Sequence, residues 1–318
     1  MTEQAIGEQI SGATELHLRL PATSANVGPG FDTLAIALNF YLEIDAREAE
    51  AFSIRATGRN PEVCGAIDRN LLLDVYRKTL AANNRELRPL ALEVNNGIPL
   101  GMGCGSSAAV RLAGVALAAH FGRLGWNRER ILTEATRLEG HPDNASACWL
   151  GGFVAGCWDG VKLRAVSLPA PSAWEALVAI PEKPLATAAS RAVLPPAYNR
   201  ADVVANLQRV AVLTAAFATG RGEFIAEAMR DRMHQPYRSK VCPLLPRLLP
   251  LSGSESILGV ALSGAGPAVL LLVESSGAID AIEARVRQAI SGLGPVEILH
   301  CEIENHPAEM SAGALPLP

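Results

Sequence analysis

Pro99-Leu100-Gly101-Met102-Gly103-Cys104-Gly105-Ser106-Ser107-Ala108-Ala109 alternates three glycines with other residues, then sets two hydroxyls ahead of an alanine-rich run. Glycines at that spacing let the backbone take positive φ and approach a ligand with no Cβ in the way. Ser106 or Ser107 is placed to cap a helix over roughly 106–122, leaving its first N–H groups for an anion. The chemistry implied is phosphate binding. The alternative is a glycine-rich turn before a buried helix.

Two further stretches concentrate reactive residue types. Glu139-Gly140-His141-Pro142-Asp143-Asn144 packs acids, an imidazole and an amide into six residues. Pro142 stops the preceding helix, so these side chains fall on a loop or at a helix entrance; read locally, a capping turn explains them equally well. Pro21–Asp32 is too rich in polar residues, Gly and Pro for a plain connection, and its Asn26 and Asp32 are placed to reach a small polar ligand. The glycine stretch fits neither familiar phosphate loop. G-x-x-x-x-G-K-[ST] does not occur, and Gly101, Gly103 and Gly105 give G-x-G-x-G where a dinucleotide fingerprint needs G-x-G-x-x-G. With no lysine after the glycines, phosphate charge must be met by N–H groups, the helix dipole and Mg2+. That calls for a nearby carboxylate, and Glu139 is the best placed.

The elements that must hold these residues follow from pattern. Leu16, Leu18 and Leu20 alternate with polar residues as a half-buried strand over 14–20, which makes His17 a solvated strand residue. Strands are expected over 33–38, 41–46, 52–57 and 90–95, with helices over 70–82, 106–122 and 127–138. A hairpin around Asp159-Gly160 covers 151–166. Pro169-Ala170-Pro171 is the candidate linker. Beyond it come a strand over 174–180, helices over 200–219 and 222–231, and a cation-bearing turn at His234–Arg238. Strands at 257–262 and 268–273 flank the turn Ser263-Gly264-Ala265-Gly266-Pro267. A helix over 278–290 and a strand over 296–303 close the chain, which frays from Glu304; residues 1–13 read as a loose tail. Without regular βαβ alternation, the order predicts two α+β domains, 1–168 and 169–318.

The bulk numbers set the class. With 318 residues and 49% hydrophobic content there is material for a full core, and a formal charge of −4 gives no sign of a nucleic-acid partner. No apolar run reaches membrane-span length and the N-terminus lacks a leader layout, so no membrane partner is expected. Six cysteines without a CxxC pair predict reduced thiols and a cytoplasmic enzyme. Oligomeric state is not fixed, a homodimer being one option.

Taken together, Pro21–Asp32, Pro99–Ala109 and Leu262-Ser263-Gly264-Ala265-Gly266-Pro267-Ala268 resemble, in order, the three motifs of the GHMP small-molecule kinases. The resemblance covers nearly the whole chain. Within that superfamily it is closest to the homoserine kinases, through Glu139–Asn144 and Asp231–Arg238. Cys104 departs from the usual Leu or Met. The resemblance implies an N-terminal domain like ribosomal protein S5 domain 2 and a C-terminal ferredoxin-like α/β sandwich. It implies transfer of the ATP γ-phosphoryl to the side-chain hydroxyl of L-homoserine, with ATP and Mg2+ bound.

Under it, Pro99 through Ala109 hold the triphosphate, with Gly264 and Gly266 beside them and Asn70 near the adenine. Glu139 and Ser106 hold the metal, with Glu134 as the fallback. Asn26, Asp32, His141, Thr187, Arg191 and Arg238 bind the amino acid; from residue type alone the two arginines would be solvated surface charges. Asn144 stands where some superfamily members place an Asp base, so the site lacks a strong protein base and Ser106, His141 and Asn144 are the catalytic candidates. The rival readings are a GHMP kinase for a mevalonate-like or sugar alcohol, and a nucleotide-binding regulator without catalysis.

Overall fold

The computed structural model describes residues 14–276 and 279–313. The expected tail at 1–13, the start of the last helix at Ala278 and the end of the chain from 314 lie outside these residues.

β1 (Glu15–Ala25) runs antiparallel to the long β2 (Leu34–Glu48), which β3 (Ser53–Gly58) follows. α1 (Pro61–Cys64) and α2 (Leu71–Ala82) then lead to β4 (Leu90–Asn96), which inserts between β2 and β3 and runs parallel to β3. Three helices come next: α3 (Ser106–Phe121), α4 (Arg128–Glu139) and α5 (Asp143–Leu150). The hairpin of β5 (Phe153–Trp158) and β6 (Leu163–Leu168) pairs with the first residues of β2.

A second sheet is built from β7 (Trp174–Pro181), β8 (Ile257–Leu262), β9 (Val269–Glu274) and β10 (Val296–Glu302), in the order β10-β7-β9-β8. Between β7 and β8 run α6 (Thr187–Ala192), α7 (Arg200–Thr219), α8 (Ile225–Ala228), α9 (Gln235–Arg238) and α10 (Leu244–Leu248), and α11 (Ile279–Ala289) joins β9 to β10. The two sheets make the expected two α+β units. After β10 the chain returns to the first sheet, where β11 (Glu309–Ala312) pairs with the edge of β1.

Small side chains set the packing around α3. Its alanines at 108, 109, 113, 116 and 118 are buried, and a Cβ on Gly114 would press into Val75 of α2. Such an interface brings two helices close. Asn127 caps α4 by accepting from Arg130 N at 2.8 Å, and Gly140, at φ +86°, ends it. Only His141 and Pro142 then separate α4 from α5, which fixes the Glu139–Asn144 block between two packed helices.

Several expectations change. The segment over Pro21–Ala25 is strand, not connection: a register shift between Pro21 and Ala22 accommodates the proline. β2 runs unbroken through Asn39 and Phe40, where two strands were expected. The Glu139–Asn144 block does lie at a helix entrance, but the helix it opens, α5, was not expected. Up to residue 313 the chain after Glu304 is held by β11 against β1, where fraying was expected. His17 is 9% exposed and bonded to Asp45 at 2.8 Å, so it is not a solvated residue. Among the described residues α7 has the length and apolarity of a membrane-crossing helix, against the expectation that no segment would. Its buried Asn206, bonded to Asp231 Oδ1 at 2.7 Å and to Pro29 O, ties that helix to the second unit and to the loop after β1 in the first.

Candidate active site

The glycine loop between β4 and α3 is held from below by its carbonyls. Gly101 O accepts from Leu185 N (3.3 Å), Met102 O from Ala268 N (3.1 Å), Gly103 O from Ser263 Oγ (2.8 Å) and Cys104 O from Thr23 N (3.1 Å). Gly101, Gly103 and Gly105 have φ of +71°, +86° and +74°. A Cβ on Gly103 would run into the Ser263 carbonyl, and one on Gly105 into the Thr23 hydroxyl. The close approach that demands glycine is therefore to this scaffold as well as to a ligand. Cys104 is buried under the loop, and burial pushes its thiol up to about 12, so it packs as a neutral group.

Neither serine caps α3. Gly105 is the N-cap and no side chain bonds the first turn. The opening N–H groups of this 16-residue helix are thus left for an anion, with the positive end of the dipole behind them.

Glu139, the last residue of α4, turns toward this helix end. Its carboxylate lies 2.6 Å from Arg111 Nη1 and 3.5 Å from Ser107 Oγ, and Arg111 Nη1 also contacts Ser107 Oγ. Ser106, expected to share a metal with Glu139, makes no side-chain hydrogen bond among the described residues; Ser107 is the hydroxyl that meets the acid. Glu134 is engaged on its own helix by Arg137 Nε and Nη2, the closest contact being 2.6 Å. An acid and a hydroxyl at the mouth of an N–H cradle can hold a hard divalent cation. Asn70 is taken up elsewhere: its Oδ1 accepts from Leu72 N and Leu73 N, and its Nδ2 donates to Cys64 O and Ala66 O.

A charged pocket adjoins the cradle. Asn26, Val27 and Gly28 take positive φ in succession (+70°, +42°, +85°), and Asp32 follows at +53°. The Asn26 carboxamide is buried in scaffold contacts, donating to Gly264 O at 2.8 Å and accepting from Asp32 N at 3.1 Å. It positions Asp32. Arg191, from α6, grips both Asp32 oxygens, at 2.7 and 3.1 Å. Thr187, exposed, lies one turn earlier on the same helix face.

Arg238, from α9, is 1% exposed and bonds Gly264 O (3.1 Å) and Ser190 O (3.4 Å), with Phe31 5.3 Å from its guanidinium. Among the described residues it has no carboxylate within ion-pair distance. Burial, and then the charge of Arg191, pull its pKa below the usual arginine value, yet a guanidinium remains a cation. Gly264 thus links the third motif to Arg238 and to the end of β1: its carbonyl accepts from Arg238 and its N–H donates to Ala25 O at 3.0 Å. Gly266 N closes the turn onto Ser263 O at 2.8 Å.

His141 Nδ1 lies 2.6 Å from Asp143 Oδ1. Burial lowers the imidazole pKa, but the hydrogen bond and charge of Asp143, with Asp32 and Glu139 behind it, outweigh burial and hold it above the usual value. Asp32, His141 and Asp143 could also present ligand atoms to a metal, all within 4.8 Å of one another. Each already has a protein partner. Asn144, on the first turn of α5, accepts from Thr23 Oγ1 at 2.7 Å, and that hydroxyl packs under Gly105. Thr23 thus joins the Asn144 helix to the glycine loop. Sequence reasoning gave no role to Thr23 or Arg111. The available signals were a buried-strand threonine two residues before the first turn and a lone arginine four residues after Ser107 on an alanine-rich helix.

A two-unit fold with a glycine-led, uncapped helix start beside a carboxylate-and-guanidinium pocket suits a small-molecule kinase. The family models for the GHMP kinases N terminal domain and the GHMP kinases C terminal domain match residues 70–152 and 213–292. The chain is 45% identical to a homoserine kinase of Solibacter usitatus, over 93% of this chain and 97% of that one. It is 40% identical to one of Moorella thermoacetica, over 80% and 86%. A crystal structure of homoserine kinase from Cytophaga hutchinsonii superposes with a TM-score of 0.78 at 25% identity, covering 95% of this chain and 98% of that one. The chain belongs to the homoserine kinase family of the GHMP kinases.

Proposed function

We propose that the protein transfers the γ-phosphoryl group of ATP to the side-chain hydroxyl of L-homoserine, giving O-phospho-L-homoserine on the route to threonine. The observation that carries this reading is Arg238: a fully buried guanidinium with no carboxylate among the described residues, beside the Arg191–Asp32 pair. Burying an uncompensated charge is costly, and an anionic ligand removes that cost. A zwitterionic amino acid fits by exchange. Its carboxylate takes the Arg191 and Arg238 guanidinium groups, and its ammonium takes the Asp32 carboxylate that Arg191 releases.

The hydroxyl of the bound substrate then lies toward Asn144 and the glycine loop. Loop N–H groups and the α3 dipole hold the triphosphate, with the adenine near Asn70, whose side chain fixes the 64–73 segment. Glu139 with Ser107 or Ser106 would hold Mg2+, an all-oxygen set suited to that ion. Bound there, the metal supplies charge neutralisation on the phosphates. No strong base serves the attacking hydroxyl: Asn144 is an amide whose oxygen is committed to Thr23, and His141 has its Nδ1 engaged by Asp143, which raises its pKa against the effect of burial. A loose, metaphosphate-like transition state tolerates this, because the oxygen need not lose its proton early. The functional units divide near residue 168/169, with the segment after 303 returning to the first. Six free thiols fit a cytoplasmic location.

ADP release on mixing the protein with ATP, Mg2+ and L-homoserine tests the reading. Turnover with the phosphoryl group found on the side-chain oxygen is expected. Silence with homoserine, together with turnover of mevalonate or a sugar, would overturn it.

A further inference from the structure

Arg111 is a cation in an unfavourable place. Side chains on a helix lean toward its N-terminus, so the guanidinium from the second turn of α3 is carried back to the positive end of that dipole. There it contacts Ser107 Oγ and sits 2.6 Å from Glu139 Oε2, and among the described residues Glu139 is its only carboxylate. Ser107 and Arg111 are four residues apart and share one helix face. The guanidinium is thus within hydrogen-bonding range of the place where the cradle offers its N–H groups. The loop has no lysine after its glycines, and Arg111 is the cation that follows them in sequence and meets the hydroxyl of the first turn of α3.

We propose that Arg111 is the phosphate-binding cation of this site, held on Glu139 while the site is empty and moved onto the β- and γ-phosphates when a divalent cation takes that carboxylate. The inference rests on reading the loop as the nucleotide site. Its consequence is a coupling between two ligands. A divalent cation arriving alone must displace a guanidinium that then has no anion to go to, at the wrong end of a helix. A metal–nucleotide complex brings both the replacement charge for Glu139 and the new partner for Arg111. Metal and nucleotide therefore bind cooperatively, each raising the affinity for the other by the same factor.

The test uses the full chain, a non-hydrolysable ATP analogue (AMPPNP) and Mn2+. Calorimetry gives the Kd of AMPPNP with Mg2+, and the EPR signal of free Mn2+ gives the affinity for the metal alone. Arg111→Ala is expected to weaken Mg-AMPPNP by about 10- to 100-fold, as for a lost charge-assisted contact. The same change is expected to tighten Mn2+ alone by roughly tenfold, since nothing then competes for Glu139. Arg111→Lys should recover part of the nucleotide affinity. Arg111→Gln, with its melting temperature recorded, separates a binding loss from a folding loss. An unchanged affinity in either arm, with only the melting temperature moved, makes Arg111 a structural ion pair and overturns the proposal. A wild-type chain that binds no AMPPNP would overturn the nucleotide reading itself, whereas wild-type binding with an unresponsive Arg111→Ala overturns only the role of Arg111.

Discussion

The two ends of the proposed active site, one assigned to phosphate and one to the amino acid, are built from different materials. The phosphate end is backbone: three glycines at positive φ, three carbonyls tied to the first and third motifs and a fourth to Leu185 N, and an uncapped helix start. The amino-acid end is side-chain charge: Asp32, Arg191, Arg238, His141 and Asp143, delivered by the loop after β1, by α6, by α9 and by the α4–α5 corner. Backbone recognises a ligand part common to every kinase, and it tolerates no added atom. Charged side chains recognise one particular acceptor, and each is replaceable at a graded loss. Thr23 is where the ends touch, under Gly105 on one side and on Asn144 Oδ1 at 2.7 Å on the other.

The largest effect should come from adding a single methyl group at the backbone end. Gly105→Ala puts a Cβ onto the Thr23 hydroxyl at a φ of +74°. Strain of that kind costs on the order of 1–3 kcal/mol, so kcat/KM for ATP should fall by about 100-fold. Because Thr23 also holds Asn144, kcat should fall along with nucleotide affinity. A loss confined to the homoserine KM would break the assignment of this end.

An intermediate effect is expected from Asp32→Asn. It removes the ammonium acceptor and leaves Arg191 without its bidentate partner, so the homoserine KM should rise by about 10- to 100-fold while the ATP KM holds. Steady-state kinetics with each substrate varied in turn checks this.

The smallest expected effect is on His141. With its Nδ1 engaged by Asp143, His141 serves binding, and His141→Ala should raise the homoserine KM several-fold with kcat little changed, a milder loss than that from Asn144→Ala. A larger fall in kcat than for Asn144→Ala, with a pH profile altered near neutrality, would make His141 a base. The stability sign follows from the raised pKa. The His141–Asp143 pair stabilises the fold fully below pH ~6.5 and loses that contribution as pH rises through the folded value. Asp143→Asn should therefore lower the melting temperature more at pH 6 than at pH 9.

The same contrast explains what the sequence revealed. A backbone site leaves a local trace, because glycines at Gly101, Gly103 and Gly105 are needed wherever they stand, so the cradle could be read from one stretch. The pocket as a whole left no such trace. Asp32 stands in a stretch whose composition already suggested a ligand, but nothing local distinguishes Arg191 and Arg238 from surface charges, and only the resemblance joined the three. Pairing also escaped local reading. β11 exists because β1 offers it a free edge, and Thr23 looked like part of a polar connection because a buried threonine facing a site resembles one facing water. Arg111 was passed over as one more arginine, since its partner lies on another helix.

The most direct test of the account is the binding of L-homoserine and Mg-AMPPNP to Arg238→Met by calorimetry, with the melting temperature recorded. Removing a buried charge that has no carboxylate partner should leave the unliganded fold as stable as before or more so. Homoserine binding should be lost, and Mg-AMPPNP affinity should stay within about twofold, as expected for an unperturbed backbone cradle. Unchanged homoserine binding, or loss of both ligands together in a folded variant, would contradict the division of the site into a backbone end and a charged end.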